Sequence, residues 1–156
     1  MPQPPRPVSS NVRGWCPTPH RAKVRPVGPH ALETLRPAPN DSLEIRNDPA
    51  KGRGIFATAP IAAGVLIEAA PVVIVSAAQC ANLDHTILHD YYFAWDGGGA
   101  VALGLVSLCN HSRHPNARVR RNIGQGTLDL LSLTRIASED EITIDYKCRL
   151  WFAAQD

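Results

Sequence analysis

Leu108-Cys109-Asn110-His111-Ser112-Arg113-His114-Pro115-Asn116 and, further along, Glu141-Ile142-Thr143-Ile144-Asp145-Tyr146 are the two stretches on which the reading of this chain turns. The first is a polar segment behind an apolar run, with Asn, His and Ser crowded where a turn is expected. Its side chains can fix a tight bend or hold a polar ligand. The second reads as a short strand ending in an aromatic hydroxyl. Upstream, Lys51-Gly52-Arg53-Gly54 supplies a Gly-x-Gly. It lacks a third glycine and a following helical pattern, so it fails as a dinucleotide fingerprint and by itself reads as a turn.

At 156 residues the chain has room for one domain with one modest core. The formal charge of +2 is unevenly spread, because residues 1–40 hold six Arg or Lys against the single acid Glu33. The basic character therefore belongs to the leader, and a uniformly basic nucleic-acid-binding domain is excluded. Cys16, Cys80, Cys109 and Cys148 are scattered with no Cys-x-x-Cys pair. That pattern suits reduced thiols better than a disulfide framework or a structural zinc site, and no metal is expected. His111 and His114 beside Cys109 fall short of four ligands. The most apolar run, about Ala69 to Ala78, contains Pro71 and is too short to span a bilayer. No apolar segment of the secretory type opens the sequence, so the expected compartment is cytoplasmic, or nuclear in a eukaryotic or host-targeted setting.

Residues 1–40 carry ten of the fourteen prolines. Neither helix nor central strand can run through them, and this stretch is expected to be a disordered or polyproline-like leader. Residues 41–156 form the expected domain. Leu43–Arg46, Gly54–Thr58 and Val65–Glu68 read as short strands, and the β-branched Val72–Ser76 as a buried one. A helical turn is expected within Leu83–Asp90. Tyr91–Trp95 and Ala100–Leu103 flank an Asp96-Gly97-Gly98-Gly99 turn, and Ala117–Arg121 and Thr127–Leu133 flank a hairpin turn at Gly124-Gln125-Gly126. Ile142–Ile144 is the last strand. Many short strands with few short helices make the fold mostly β.

The order and spacing of these pieces resemble the SET-domain protein-lysine methyltransferases. The family's NHSxxPN stands intact as Asn110 to Asn116, its E-[LI]-T-x-x-Y as Glu141 to Tyr146, and its Gly-x-Gly loop as Lys51 to Gly54. The likeness covers roughly Leu43 to Phe152 and leaves the leader outside. It implies a β-clip fold in which a knot-like threaded C-terminal segment brings the two motifs together. It also implies S-adenosyl-L-methionine as cofactor and a protein substrate presenting a lysine, histone-like or other.

Residue by residue, the resemblance places Lys51, Gly52 and Arg53 with Asn110 and His111 at the cofactor, and makes Asn116 a scaffold. Trp151 would cover the cofactor pocket, as C-terminal aromatics do in the short virus-type members, which lack the cysteine-rich zinc segment and are dimeric. Asp90-Tyr91-Tyr92-Phe93 followed by Ala102-Leu103-Gly104 matches those members, putting Tyr91 in the lysine channel and Tyr92 in a packing or surface role. Tyr146 becomes the catalytic tyrosine, and Leu150 stands where a second channel tyrosine is expected. Two other classes stay open at this point: a SET or β-clip binding module without turnover, and a nucleic-acid adaptor working through the basic leader.

Overall fold

The computed structural model describes residues 40–49 and 51–147, so the leader up to Pro39 and the C-terminal positions Cys148, Leu150, Trp151 and Phe152 lie outside the described residues. After a 3-10 turn at Asn40–Ser42, the alternation of Leu43–Asp48 makes strand β1, which pairs antiparallel with β2, Gly52–Ala57. The hairpin closes at Asp48↔Gly52, where Gly52 takes a φ of +82°, a left-handed value that a side chain would strain. Asp48 Oδ1 accepts the Lys51 amide at 2.8 Å and fixes the turn. Both strands begin or end outside their sequence-based bounds by a residue or two, because pairing with a neighbour extends each past its apolar core.

The segment expected as two strands is a single one. β3 runs from Leu66 to Val75 straight through Pro71. Its first half, Leu66–Pro71, pairs with β8 (Thr127–Ser132), and its second half, Val72–Val75, pairs with β5 (Gly98–Ala102). Pro71 sits at the hand-off between the two ladders, where its missing N–H breaks neither. Its carbonyl still accepts the Leu103 amide at 2.8 Å. Nor is the second half buried as expected: Val73 and Ile74 are 51% and 62% exposed.

After β3 the chain forms the helix α1, Ala77–Leu83, which is not among the elements expected from sequence. Ser76 and Gln79 cap it reciprocally, the side chain of each accepting the other's amide. The turn expected within Leu83–Asp90 follows as a 3-10 turn at Ile87–Asp90, then β4, Tyr92–Trp95. The β4–β5 turn is tighter than Asp-Gly-Gly-Gly. Only Asp96 and Gly97 turn, both with positive φ, and Trp95↔Gly98 is already a strand pair. A 3-10 turn at Leu105–Leu108 leads to the two-residue β6, Asn110–His111, and the expected hairpin appears as β7 (Ala117–Asn122) with β8.

The strands form two sheets, ordered β1-β2-β9-β6 and β4-β5-β3-β8-β7, where β9 is Glu141–Ile144. The larger sheet curls enough that Arg121 Nη1 on its last strand donates to the Ala94 carbonyl on its first, at 3.3 Å. Ile55, Ile67, Leu128, Leu130, Ile136, Ile142 and Ile144 fill the core together with Val106 and Cys109. Asp129 lies among these strands at 2% exposure, and two contacts from Arg120, at 2.7 and 3.2 Å, offset the cost of its burial.

β9 is the element that places the functional motif. It is antiparallel to β2 through Ile55↔Ile142, and parallel to β6 through Asn110↔Thr143 and His111↔Ile144. Ile142 and Ile144 anchor it in the core. Replacing the fully buried Ile142 by Ala should cost about 2–5 kcal/mol of stability. Urea unfolding should show this as a lower midpoint with an unchanged slope.

Candidate active site

Side by side on parallel strands, the two sequence motifs become one site. Asn116 binds β9 through both ends of its amide: Nδ2 donates to the Glu141 carbonyl at 2.7 Å, and Oδ1 accepts the Thr143 amide at 2.9 Å. An Asn side chain mimics a backbone edge here, so the segment after β6 is held to β9 although its own backbone has left the ladder. The Ser112 amide extends the pairing by donating to the Ile144 carbonyl at 3.0 Å.

Asn110 faces the other way, toward the Gly-x-Gly strand. Its Nδ2 donates to Glu141 Oε1 at 2.7 Å and to the Arg53 carbonyl at 3.3 Å. Glu141 Oε2 in turn lies 3.3 Å from Lys51 Nζ, with both side chains largely withdrawn from solvent. One carboxylate therefore joins all three motifs. A Cβ at Gly54 would lie 2.6 Å from Glu141 Oε1 and 2.9 Å from Asn110 Nδ2, so a side chain there would push this pair out of place. Gly52 and Arg53 are exposed just before it.

His111 and Tyr146 pack together with ring centroids 5.4 Å apart. The Tyr146 amide donates to His111 Nδ1 at 3.2 Å, which assigns that nitrogen as the acceptor and the ring proton to Nε2. Asp145 Oδ1 stands 4.0 Å from the same nitrogen, too far for a hydrogen bond. The Asp145 carboxyl is held below its usual range mainly by Lys147, whose ammonium and amide both bind it. The phenol of Tyr146 donates to the Cys109 carbonyl at 2.9 Å. The Cys109 thiol is wholly buried, and burial, reinforced by the charges of Glu68 and Glu141, pushes its pKa far up. It stays a thiol, and so it is neither nucleophile nor base.

Tyr91 and Tyr92 diverge. Tyr91 ends the 3-10 turn and its hydroxyl accepts from Arg53 Nη2 at 3.3 Å, which brings it to the Gly-x-Gly strand. Tyr92 opens β4 and donates to Asp84 at 2.7 Å. Its pKa is raised by burial and by that carboxylate. Burial would raise the Asp84 carboxyl, but the hydrogen bonds from Tyr92 and His89 outweigh it and hold it low.

Of the residues singled out in the sequence, the structure thus brings Lys51, Gly52, Arg53, Tyr91, Asn110, His111 and Tyr146 into one connected region. Trp151 lies outside the described residues. Sequence reasoning passed over the side chain of Glu141 and the carbonyl of Cys109. The former had a signal, an acid opening a short β-branched strand. The latter had none, since every residue carries a carbonyl. Replacing Glu141 by Ala removes the shared acceptor and leaves Lys51 and Asn110 without it, so it should cost roughly 1–3 kcal/mol. Hydrogen exchange should show faster exchange concentrated in β6 and in the Lys51–Gly54 segment.

The SET domain family pattern matches residues 52–147. The chain is 36% identical over 118 residues to the histone-lysine N-methyltransferase, H3 lysine-37 specific, of Schizosaccharomyces pombe, covering 74% of this chain and 80% of that one. A Plasmodium falciparum crystal structure described as a candidate histone methyltransferase superposes with a TM-score of 0.56 at 26% identity, covering 70% of this chain and 96% of that chain. With the motifs joined through β9 and the family pattern spanning nearly every described strand, the chain belongs to the SET-domain family.

Proposed function

We propose that this protein is a lysine methyltransferase that moves a methyl group from S-adenosyl-L-methionine to a lysine side chain of a histone-type protein. The observation that carries the reading is the junction at Tyr146. Its hydroxyl is fixed on the Cys109 carbonyl and its amide on His111, one residue from the Asn110–Glu141–Lys51 bridge. Family membership and the histone-lysine methyltransferase relative support the reaction class and the protein substrate.

The residues fit the cofactor. Gly54 lets the hydrogen-bonded Asn110–Glu141 pair close over its strand, and the exposed backbone at Gly52 and Arg53 lets a ligand approach the main chain closely. Lys51, Gly52, Arg53, Asn110 and His111 would hold it, with Trp151 covering it. When bound, it supplies an electrophilic methyl on a sulfonium centre.

The chain's own residues must then present a neutral amine. A free lysine titrates near ~10.4, so deprotonating it at pH 7 costs roughly 4–5 kcal/mol. An apolar channel lowers that cost by disfavouring the ammonium. Tyr91, reached by Arg53, supplies an aromatic wall that attracts the cationic stem as it enters. Tyr146 orients the amine, and the carbonyls beside it, Cys109 among them, favour one methyl direction by weak C–H···O contacts. No strong base is needed, and the protonated Cys109 offers none. The compartment follows the substrate, nuclear for chromatin in a eukaryotic cell and cytoplasmic for a soluble protein target.

Incubation of the protein with methyl-labelled cofactor and core histones tests this. Wild type should label a histone lysine. Tyr146→Phe should lose roughly 10²-fold in kcat, while calorimetry shows S-adenosylhomocysteine binding retained. Equal labelling by both proteins would overturn the role of Tyr146, and no labelling by wild type would overturn the activity.

A further inference from the structure

Glu68 is the one charged residue in the apolar run from Val65 to Val75, and no motif accounts for it. A register shift in the β3–β8 ladder falls between Leu66 and Glu68, so two β3 steps face one on β8. Such bulges re-aim the side chains that follow them. The carboxylate of Glu68 crosses to the segment before β6 and accepts two amides, Leu105 at 2.9 Å and Val106 at 2.8 Å. These open the 3-10 turn Leu105–Leu108, whose preceding residue offers no side-chain cap. That residue is Gly104, in extended backbone that any residue can adopt. Space is what demands glycine, since a Cβ would sit 2.5 Å from Glu68 Oε1 and 2.7 Å from Ala70 Cβ.

The turn continues into the active site. The Cys109 amide donates to the Val106 carbonyl at 3.3 Å, and the Cys109 carbonyl accepts the Tyr146 hydroxyl at 2.9 Å. Val106 and Cys109 are both fully or almost fully buried, so the turn has little room to settle elsewhere. A two-oxygen acceptor is the group that can hold two successive amides at once.

We propose that Glu68 is a positioning residue for methyl transfer: by clamping the Leu105 and Val106 amides it fixes the Cys109 carbonyl, and through it the Tyr146 hydroxyl. This rests on the catalytic reading of Tyr146 given above. Both carboxylate oxygens of Glu68 are taken up by the Leu105 and Val106 amides, so it acts through the turn and not on the reacting atoms. It sets where the reacting groups' partner stands, and a small displacement there is expensive in rate because alignment is most of the catalysis.

Glu68→Gln keeps the size but replaces one acceptor oxygen with a donor, which cannot accept an amide. The variant should lose roughly 10- to 100-fold in kcat, with KM for the histone and the S-adenosylhomocysteine affinity each within about threefold of wild type. In a Tyr146→Phe background, measured by single-turnover labelling, the same substitution should cost little more, because both act on one hydroxyl. Tyrosine ring NMR on the free protein, with Tyr146 assigned through Tyr146→Phe, should show its signal shifted in Glu68→Gln while Tyr91 stays in place. A kcat within about twofold of wild type, an equal penalty in both backgrounds, or an unmoved Tyr146 signal would overturn the proposal. If Glu68→Gln does not fold, Gly104→Ala crowds the same carboxylate from the other side. It should move kcat and the Tyr146 signal the same way, and if both stay unchanged the proposal is wrong. Should wild type transfer no methyl at all, the enzymatic reading fails, and the NMR arm still decides whether Glu68 governs Tyr146.

Discussion

Glu141, the first residue of β9, is where the motifs of the candidate site are tied together. Its carboxylate receives Asn110 and lies against Lys51, and its carbonyl receives Asn116. Three sequence-distant segments thus meet on one residue of a strand whose next positions, Ile142 and Ile144, are locked in the core. Hydrogen bonds to a charged acceptor are each worth roughly 1.5–3 kcal/mol, a large share of what a domain of this size has to spare. The hydrophobic core sets where β9 lies. The polar contacts at its first residue then set where the motifs lie relative to one another.

Much of this could be read in the residues, and the reasons are local. Hairpin turns announced themselves at Asp96-Gly97 and around Gly124 to Gly126, because positive φ and short loops demand those residue types. The Asn-His and Glu-to-Tyr motifs carried the resemblance to the SET family. The helical turn expected within Leu83–Asp90 is present as the 3-10 turn Ile87–Asp90, whereas α1 was missed because its residues Ala77–Leu83 bury nothing and show no apolar stripe.

What escaped the sequence was long-range. Val65–Glu68 and Val72–Ser76 looked like separate strands because Pro71 lies between them, and a proline is normally incompatible with a central strand. Only the fold reveals that β3 changes partners at that residue, so the missing donor falls where neither ladder needs it. The exposure of Val73 and Ile74 is likewise a property of what does or does not cover that half of the sheet. Glu141 was visible as part of a motif, but which side chains would share its two oxygens depended on Lys51 and Asn110 arriving from different strands.

The division of labour at the site explains why its motifs are short while its geometry is not. Asn116 and Glu141 spend their polar atoms on the protein's own backbone and side chains. The groups they align are largely main-chain: the Arg53 carbonyl, the Cys109 carbonyl and the Tyr146 amide. A carbonyl cannot be specified by choosing a residue; it can only be aimed by fixing the segment on both sides. Asn110 fixes the segment after Cys109, and the Val106 carbonyl fixes the one before. The Cys109 side chain, sealed in the core and kept protonated, anchors that peptide. Alignment chemistry of this kind needs a stiff frame more than reactive side chains, and a small β domain tied at one carboxylate supplies such a frame.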